Sequence, residues 1–374
     1  MSTSPWSRLL PPLPPRDPQE PHRASTNLEL LFDLCFVVAV AQGAAHLHHA
    51  LSAGEVGHAV MSYLSVFFAV WWAWMNFTWF ASAYDSDDRS YRLAVLVQMG
   101  GVLVLAAGVG RSFEHGDLSV VTLGYCIMRL GLVWLWLRAA QGDPGRAGVA
   151  KRYALGVAIC QLGWVGLVAV PLELRMPLSP MLIAAELSVP VWAERLAPTP
   201  WHPHHVAERY GLMTIIVLGE SILAATNSVE AGLEAGEGWR LADLAAGGLA
   251  TVFGMWWFYF ERPAHAFLRN SRLAFVWGYG HFFIFAAAAA VGAGLGVAQD
   301  ALTGAAPAAG AGLAFSVPVA LYLVGTWFLH LRHHEGARRV APLVTAALAL
   351  VAGLLPHTTA LVGGLMVGLV LSRR

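Results

Sequence analysis

The stretch "ERYGLMTIIVLGESILAATN", residues 208–227, is apolar almost throughout, yet it begins with Glu208 and carries a second acid, Glu220, near its middle. Because an α-helix rises about 1.5 Å per residue, Glu220 would lie roughly 18 Å beyond Glu208. About 20 apolar residues are enough for a helix to cross the hydrocarbon core of a bilayer. The stretch therefore predicts a membrane-spanning helix with one acid at its edge and another at mid-membrane depth.

The composition of the whole chain is that of an integral membrane protein. Of its 374 residues, 57% are hydrophobic and only 12% are charged, whereas about a quarter of the residues of a soluble domain are charged. Lys and Arg together number 23, as do Asp and Glu, so the chain has no excess of positive charge that would attract nucleic acid. The three cysteines lack the spacing of metal ligands or redox pairs.

Twelve apolar runs predict twelve transmembrane helices and hence an all-α membrane protein. The runs lie at 28–49, 57–81, 91–110, 118–138, 152–171, 177–193, 208–228, 242–260, 273–297, 312–331, 339–355 and 357–372. Only Pro356 and His357 separate the last two runs, so eleven helices with a re-entrant end are the alternative. The polar, Pro-rich residues 1–27 predict a disordered tail.

The charges in the loops predict the orientation of these helices, because Lys and Arg accumulate on the cytoplasmic side. Loops after even-numbered helices and both ends of the chain hold most of the basic residues, whereas the odd-numbered loops hold only Arg111, Arg175 and Arg240. We therefore expect both termini to be cytoplasmic and the protein to lie in the inner membrane of a bacterium.

Similar segments recur in the same order in the two halves of the chain, roughly 180 residues apart. The pairs are "ELLFDLCFVVAVAQ" (29–42) with "ERYGLMTIIVLGES" (208–221), Trp71-Trp72 with Trp256-Trp257, and "RLAVLVQMGG" (92–101) with "RLAFVWGYGH" (272–281). They predict two six-helix repeats, 28–195 and 207–374, which are parallel because six is an even number. Chance recurrence of residues that favour membrane interfaces is the alternative.

Four ionisable residues are predicted at mid-membrane depth, where a charge costs about 2.5 to 3.5 kcal/mol to insert. They are Glu220, Arg129, Glu186 and His281. Glu220 is either a proton or cation site or an acid that fixes helix packing, and Gly219 would allow a neighbouring helix to approach. Arg129 is expected to pair with one of the two glutamates, and His281 is either a proton relay or a core histidine. We expect Asp33 and the other three groups to lie near Glu220.

Acids also occur at the start of two predicted helices. Glu29 and Asp33 are four residues apart and therefore share a helix face. Thr26 and Glu29 match a capping box, which accounts for Glu29 as well as a functional role would. Asp33 lies one turn deeper, where capping does not account for it. Glu208 and Arg209 occupy the edge of the seventh helix, where an acid suits the helix dipole.

A cluster of histidines precedes the seventh helix. Its members are His202, His204, His205 and Glu208. His205 and Glu208 have the spacing of a helical metal-binding pair, but sites of that kind need a second pair, which the sequence lacks. We therefore predict no metal.

The acidic loop "YDSDDRSYR" (84–92) is either a cation site or a solvated loop with local Asp–Arg pairs. Its candidate residues are Tyr84, Asp85, Asp88 and Arg92. His330, His333 and His334 are predicted to lie at the membrane interface. No phosphate-binding loop, nucleophile elbow or zinc-protease motif is present, so the sequence predicts no catalytic residue and no cofactor.

Four segments together carry the pattern of a known family. They are "ELLFDLCFVVAVAQ" (29–42), "WWAWMNFTWFASAYDSDDRSYRL" (71–93), "HHVAERYGLMTIIVLGESI" (204–222) and "YGHFFIFAAAAAVGAG" (279–294). On these segments the chain, apart from its tail, resembles the bacterial low temperature requirement protein A (LtrA) family. The positions of the pattern are Glu29, Phe32, Asp33, Tyr84, Asp85, Asp88, Arg92, Glu208, Arg209, Gly211, Gly219, Glu220 and His281. The resemblance implies a multi-pass inner-membrane protein linked by name to growth in the cold, without a known substrate.

Four classes of function fit these patterns. A proton- or ion-coupled transporter of a small molecule or ion is favoured, because parallel repeats and a mid-membrane acid suit alternating access. A cation channel would need matching polar residues in both halves, yet Asp33 aligns with Leu212 and Glu220 with Ala41. A membrane enzyme acting on lipid or prenyl substrates is the third class, and a structural or sensory protein is the fourth. The lipid bilayer is the one partner that the sequence itself implies.

Overall fold

The computed structural model describes residues 12–21, 23–234, 238–268, 271–332 and 337–373. Of the described residues, 83% are helical, and they form twelve α-helices and no strand. The helices are α1 (Asn27–Ser52), α2 (Val56–Tyr84), α3 (Arg89–His115), α4 (Ser119–Gly142), α5 (Ala147–Val168), α6 (Leu172–Ala193), α7 (Pro203–Glu234), α8 (Gly238–Tyr259), α9 (Ser271–Thr303), α10 (Ala311–Thr326), α11 (Ala337–Ala352) and α12 (Thr358–Leu371). The prediction of an all-helical protein with twelve helices is thus confirmed.

Length and hydropathy identify eight of the described helices as candidate membrane spans. These are α1 to α4, α6, α7, α9, and α10 together with the turn that follows it. The last two helices are apolar but shorter, 16 and 14 residues, and a helix of about 20 residues is needed to cross the hydrocarbon core upright. The count of twelve spans stays a prediction.

The helices assemble into two compact units. Unit 1 comprises residues 1–39 and 69–209, and unit 2 comprises residues 40–68 and 210–374. Helices α1, α2 and α7 contribute residues to both units, so the units do not coincide with the predicted repeats, 28–195 and 207–374. The two-repeat arrangement stays a prediction.

In unit 1, successive helices from α3 to α6 pack against one another. The contact of α3 with α4 is close because both helices present glycine there. A Cβ atom on Gly101 would lie 2.7 Å from the carbonyl oxygen of Gly124, and one on Gly124 would lie 2.4 Å from the backbone nitrogen of Leu105. Small residues permit such backbone approach between membrane helices. In unit 2, α9 packs on α10, α10 on α11, and α8 on α12.

The segment before α1 lies against unit 1 in the part that the structure describes. Leu13 is fully buried, and its N–H donates to the carbonyl of Arg138 at 3.3 Å. The Arg16 N–H donates to the carbonyl of Ala83 at 2.8 Å. Residues 1–11 and His22 lie outside the described residues, and the disorder of the tail stays a prediction.

Candidate functional site

Unit 1 contains a buried cluster of charged side chains, which we call the Arg209 cluster. Its members are Glu29 and Asp33 on α1, Trp74 on α2, and His205 and Arg209 on α7. Each of the five is at most 1% exposed. Ionisable groups at membrane depth are costly unless they are paired, and they mark functional sites more often than chance would give.

Arg209 joins the two acids. Its Nε and Nη2 donate to the two carboxylate oxygens of Asp33 at 3.1 and 2.5 Å, and its Nη1 donates to Glu29 Oε1 at 2.9 Å. The indole N–H of Trp74 donates to Asp33 Oδ1 at 2.7 Å. Such a two-bond contact of guanidinium with carboxylate is both strong and directional.

Helical spacing brings these residues together. Glu29 and Asp33 are one turn apart on α1, and His205 and Arg209 are one turn apart on α7, so each helix presents two members on one face. The predicted capping box at the start of α1 is also present. The Thr26 N–H donates to Glu29 Oε2 at 2.8 Å, and the Glu29 N–H donates to Thr26 Oγ1 at 3.2 Å. Glu29 therefore caps the helix and also binds Arg209.

The cluster has one more negative than positive charge when His205 is neutral. His205 Nε2 lies 3.1 and 3.3 Å from the two oxygens of Glu29. Its other ring nitrogen, Nδ1, is buried and has no hydrogen-bond partner among the described residues. The hydroxyl of Tyr91, a buried residue on α3, also lacks a partner in the described part of the chain. One added proton would make the cluster neutral, which a low-dielectric interior favours.

A second ion pair of unit 1 involves Arg23, just before α1. Its guanidinium donates to the carbonyls of Ala81, at 2.6 Å, and of Ser82, and it lies 3.7 Å from Asp85 Oδ2. Burial raises the pKa of Asp85, although the charge of Arg23 opposes that rise. Glu208 accepts a hydrogen bond from the Ser25 N–H at 3.1 Å. Glu29 and Glu208, the acids predicted at the starts of two helices, thus both accept hydrogen bonds from the residues just before α1.

The histidines before α7 have separate partners. The ring of His202 is hydrogen-bonded to the carbonyl of Glu20 at 2.7 Å, while that of His205 lies against Glu29. Among the described residues, no group of three or more His, Cys, Asp or Glu side chains could hold a metal ion.

The acidic loop between α2 and α3 forms local ion pairs and caps. Arg92 binds Asp87 through two hydrogen bonds of 2.7 and 2.6 Å at the surface. Asp88 caps α3 by accepting from the Tyr91 N–H, and it also accepts from Arg138 at 2.6 Å. Burial by itself would raise the pKa of Asp88, but these hydrogen bonds lower it to about 2. The hydroxyl of Tyr84 donates to Asp143 at 3.2 Å.

Arg129 and Glu186 form a further buried pair in unit 1, as predicted for Arg129 and one of the two glutamates. Arg129 Nη2 donates to Glu186 Oε2 at 3.2 Å and to the Tyr125 hydroxyl. The indole N–H groups of Trp72 and Trp164 donate to the same carboxylate at 2.8 and 3.2 Å. The pair lies among α2, α4, α5 and α6.

Glu220 belongs to unit 2 and is half-buried. No described residue forms a hydrogen bond or an ion pair with its carboxylate. A Cβ atom on Gly219 would have no described atom within 4 Å, so no helix in the described part of the chain makes the close approach that Gly219 would allow. Ser221 does bind its neighbour, since its hydroxyl donates to the Ala288 carbonyl at 2.9 Å.

His281 is fully buried in unit 2. Its Nδ1 donates to the Trp277 carbonyl at 2.7 Å, and its Nε2 lies 2.9 Å from the Tyr259 hydroxyl and 3.4 Å from His330 Nε2. His330 lies in a π-helical turn, Trp327–Leu331, and is buried. The ring of His330 therefore points inward to His281, and its predicted depth at the membrane interface stays a prediction; His333 and His334 lie outside the described residues.

The structure thus groups the predicted residues differently from the expected set around Glu220. Asp33 pairs with Arg209, and Arg129 pairs with Glu186. Trp74, Arg23 and Tyr91 were not predicted, and no spacing rule identifies them. One feature of the sequence could have predicted that His205 contacts α1: it lies four residues before Arg209 and therefore on the same helix face.

Two comparisons with known proteins bear on these residues. The family model for "Bacterial low temperature requirement A protein (LtrA)" matches residues 24–372. An uncharacterized protein of Rhizobium meliloti (strain 1021) is 30% identical over 244 residues, which are 62% of this chain and 57% of that protein. The chain therefore aligns with little more than half the length of this curated relative, whereas the family match includes the whole Arg209 cluster.

Proposed function

Because this chain belongs to the bacterial low temperature requirement A (LtrA) family and has helices suited to span a membrane, we propose that it is a proton-coupled transporter of a small molecule. The observation that carries the proposal is the Arg209 cluster. It buries two carboxylates with one guanidinium and a histidine whose second nitrogen is unpartnered in the described structure.

A proton-coupled transporter needs a site that is occupied by a proton in one part of its cycle and empty in another. Such a site must be buried, so that binding or losing a proton changes its free energy strongly. It must also lie on helices whose movement can expose it to each side of the membrane in turn. The Arg209 cluster meets the first requirement through the burial of its acids. Its charged members lie on two helices that are distant in sequence, α1 and α7, so a movement of one helix along the other would change the pairing of Arg209 with the two acids.

The proposal also covers the location of the protein in the inner membrane and the arrangement of its helices as two parallel repeats. An inner-membrane position with cytoplasmic termini follows from the loop charges and would place the start of α1, with the cluster, at the cytoplasmic side. Two parallel repeats would make α1 and α7 equivalent first helices, which is consistent with both bearing cluster residues. A contribution to growth at low temperature follows from the family name alone.

Proton binding by the cluster is tested with proteoliposomes on a solid-supported membrane. An acid pH jump should produce a transient current in the wild type, because protons bind within the membrane field. Replacing both acids of α1, Glu29→Gln with Asp33→Asn, should reduce that current about tenfold, since the cluster then has no carboxylate to neutralise. Arg111→Gln, which removes the ion pair of an exposed arginine with Asp117, is the matched control and should behave as the wild type. An undiminished current in the double variant would refute the proposal.

Complementation of a deletion strain, with flux measurements, tests the role of Glu220. The depth predicted for its carboxylate is one at which an unpaired charge is costly, so we expect Glu220→Gln to abolish substrate-driven proton flux and complementation of a deletion strain in the cold. The control is Thr226→Ala, an exposed position on the same helix. If Glu220→Gln complements fully, coupling resides in the Arg209 cluster without Glu220.

A further inference from the structure

The Arg129–Glu186 pair has more hydrogen-bond donors than acceptors. The two oxygens of Glu186 already accept from two indoles and from Arg129 Nη2. A guanidinium carries five N–H groups, and a carboxylate accepts only. Arg129 therefore depends on other acceptors for its remaining N–H groups.

Those acceptors are missing from the described part of the chain. Nε and Nη1 of Arg129, which together carry three N–H groups, are buried without a hydrogen-bond partner there. A buried donor without an acceptor lowers stability, and lipid offers no acceptor in exchange. Gln161 on α5 donates to Cys126 Sγ at 2.9 Å, but its own Oε1 is also unpartnered among described residues.

The missing partner must accept hydrogen bonds from a positive group and tolerate aromatic neighbours. Carboxylates bind guanidinium groups more strongly than neutral carbonyls do, because their hydrogen bonds are charge-assisted. The surrounding rings of Trp72, Trp164 and Tyr125 favour an apolar body. We propose that Arg129 binds the carboxylate of a small, largely apolar organic acid, and that Glu186 takes up one proton from solvent when the acid binds.

Charge explains why the proton accompanies the acid. Arg129 and Glu186 are neutral as a pair, so a bound carboxylate adds one negative charge to a buried site, which is costly. When the ligand carboxylate binds Nε and Nη1, one guanidinium must balance two carboxylates. Protonation of Glu186 restores neutrality, and no covalent bond other than the new O–H is formed. The inference deepens the proposed proton-coupled transport, on which it rests for its physiological role, by naming the substrate class.

The binding step is tested without transport, on the full chain in lipid nanodiscs. The probes are sodium acetate and sodium benzoate, with benzamide as the neutral analogue of benzoate. Calorimetry in two buffers of different ionisation enthalpy at one pH gives the number of protons taken up. We expect benzoate to bind better than acetate, benzamide to bind weakly, and about one proton to be taken up per benzoate.

Three variants separate the roles of the two charged groups. Arg129→Gln should weaken benzoate binding about tenfold or more, Glu186→Gln should bind benzoate without proton uptake, and Arg152→Gln, near the start of α5, should match the wild type. Arg129→Lys, which keeps the charge but offers fewer donors, should bind with intermediate affinity and covers the case in which Arg129→Gln does not fold. Failure of the wild type to bind either carboxylate, or binding of benzoate with wild-type affinity by both Arg129 variants, would overturn the inference.

Flux measurements then distinguish this inference from the proposed function. Benzoate binding with proton uptake but without flux in proteoliposomes would support the site and refute transport. Proton flux driven by other compounds, in a protein that does not bind carboxylates, would support transport and refute the substrate class.

Discussion

Replacing Arg209 with methionine should lower the thermal stability of the protein more than any other single change in the Arg209 cluster. The substitution leaves Glu29 and Asp33 buried without their shared cation. Removing one partner of a buried ion pair costs about 3 to 5 kcal/mol, since the remaining charge is left uncompensated. We expect a clear fall in the melting temperature of the detergent-solubilised protein, or its loss during purification.

Two comparisons isolate the buried charge as the cause. Arg92→Met removes an equally well-formed pair, with Asp87, at a position where both side chains are exposed, and an exposed pair contributes little to stability. It should therefore leave the melting temperature nearly unchanged. The triple variant Arg209→Met, Glu29→Gln, Asp33→Asn removes every formal charge of the cluster except a protonated His205 and should recover most of the loss.

Recovery in the triple variant is the decisive result. If it is no more stable than Arg209→Met alone, the loss is due to packing of the arginine side chain and not to unpaired acids. The recovered protein should still lack the pH-jump current, because it has no cluster carboxylate to protonate.

The second large effect is expected from Gly101→Ala on α3. Its new methyl group would lie 2.7 Å from the Gly124 carbonyl oxygen and 3.0 Å from the Met128 backbone nitrogen. Backbone atoms cannot move aside as a flexible side chain can, so α3 and α4 would have to separate. Overpacking of this kind costs about 1 to 3 kcal/mol, and we expect a lower melting temperature.

The neighbouring residue provides the control. A methyl group on Gly100 would meet nothing within 4 Å, and Ala has a higher helix propensity than Gly by about 1 kcal/mol. Gly100→Ala should therefore be neutral or slightly stabilising. Equal destabilisation by both substitutions would show that the α3–α4 contact is looser than described.

The helices were predictable because the sequence signal for a membrane helix is simple. Every predicted apolar run overlaps a helix of the structure, since a chain in lipid must satisfy its backbone hydrogen bonds within the segment. The boundaries differ more at α7, which begins at Pro203 and not at Glu208. The capping box and the pairing of Arg129 with a glutamate were also predictable, because both follow from local spacing and from the cost of a buried charge.

The partners of the site residues were not predictable from spacing alone. Depth along a helix can be estimated from residue number, but the direction of a side chain around the helix axis depends on which helices pack against it. Glu220 was expected beside Asp33 and Arg129, yet its carboxylate has no partner among the described residues. Arg209 was assigned to a helix edge by its position, although it is fully buried, because the acids that surround it lie in a distant part of the chain.

The separation in sequence between Arg209 and Asp33, 176 residues, has a consequence for biosynthesis. At about 5 to 20 residues per second, the ribosome needs roughly 10 to 35 s to make the arginine after it has made the aspartate. During that interval α1 enters the membrane with two acids and no cation from α7. Co-translational insertion therefore leaves unit 1 incomplete until the seventh helix is released, and a nascent chain that stops after α6 should be recognised and degraded by membrane quality control.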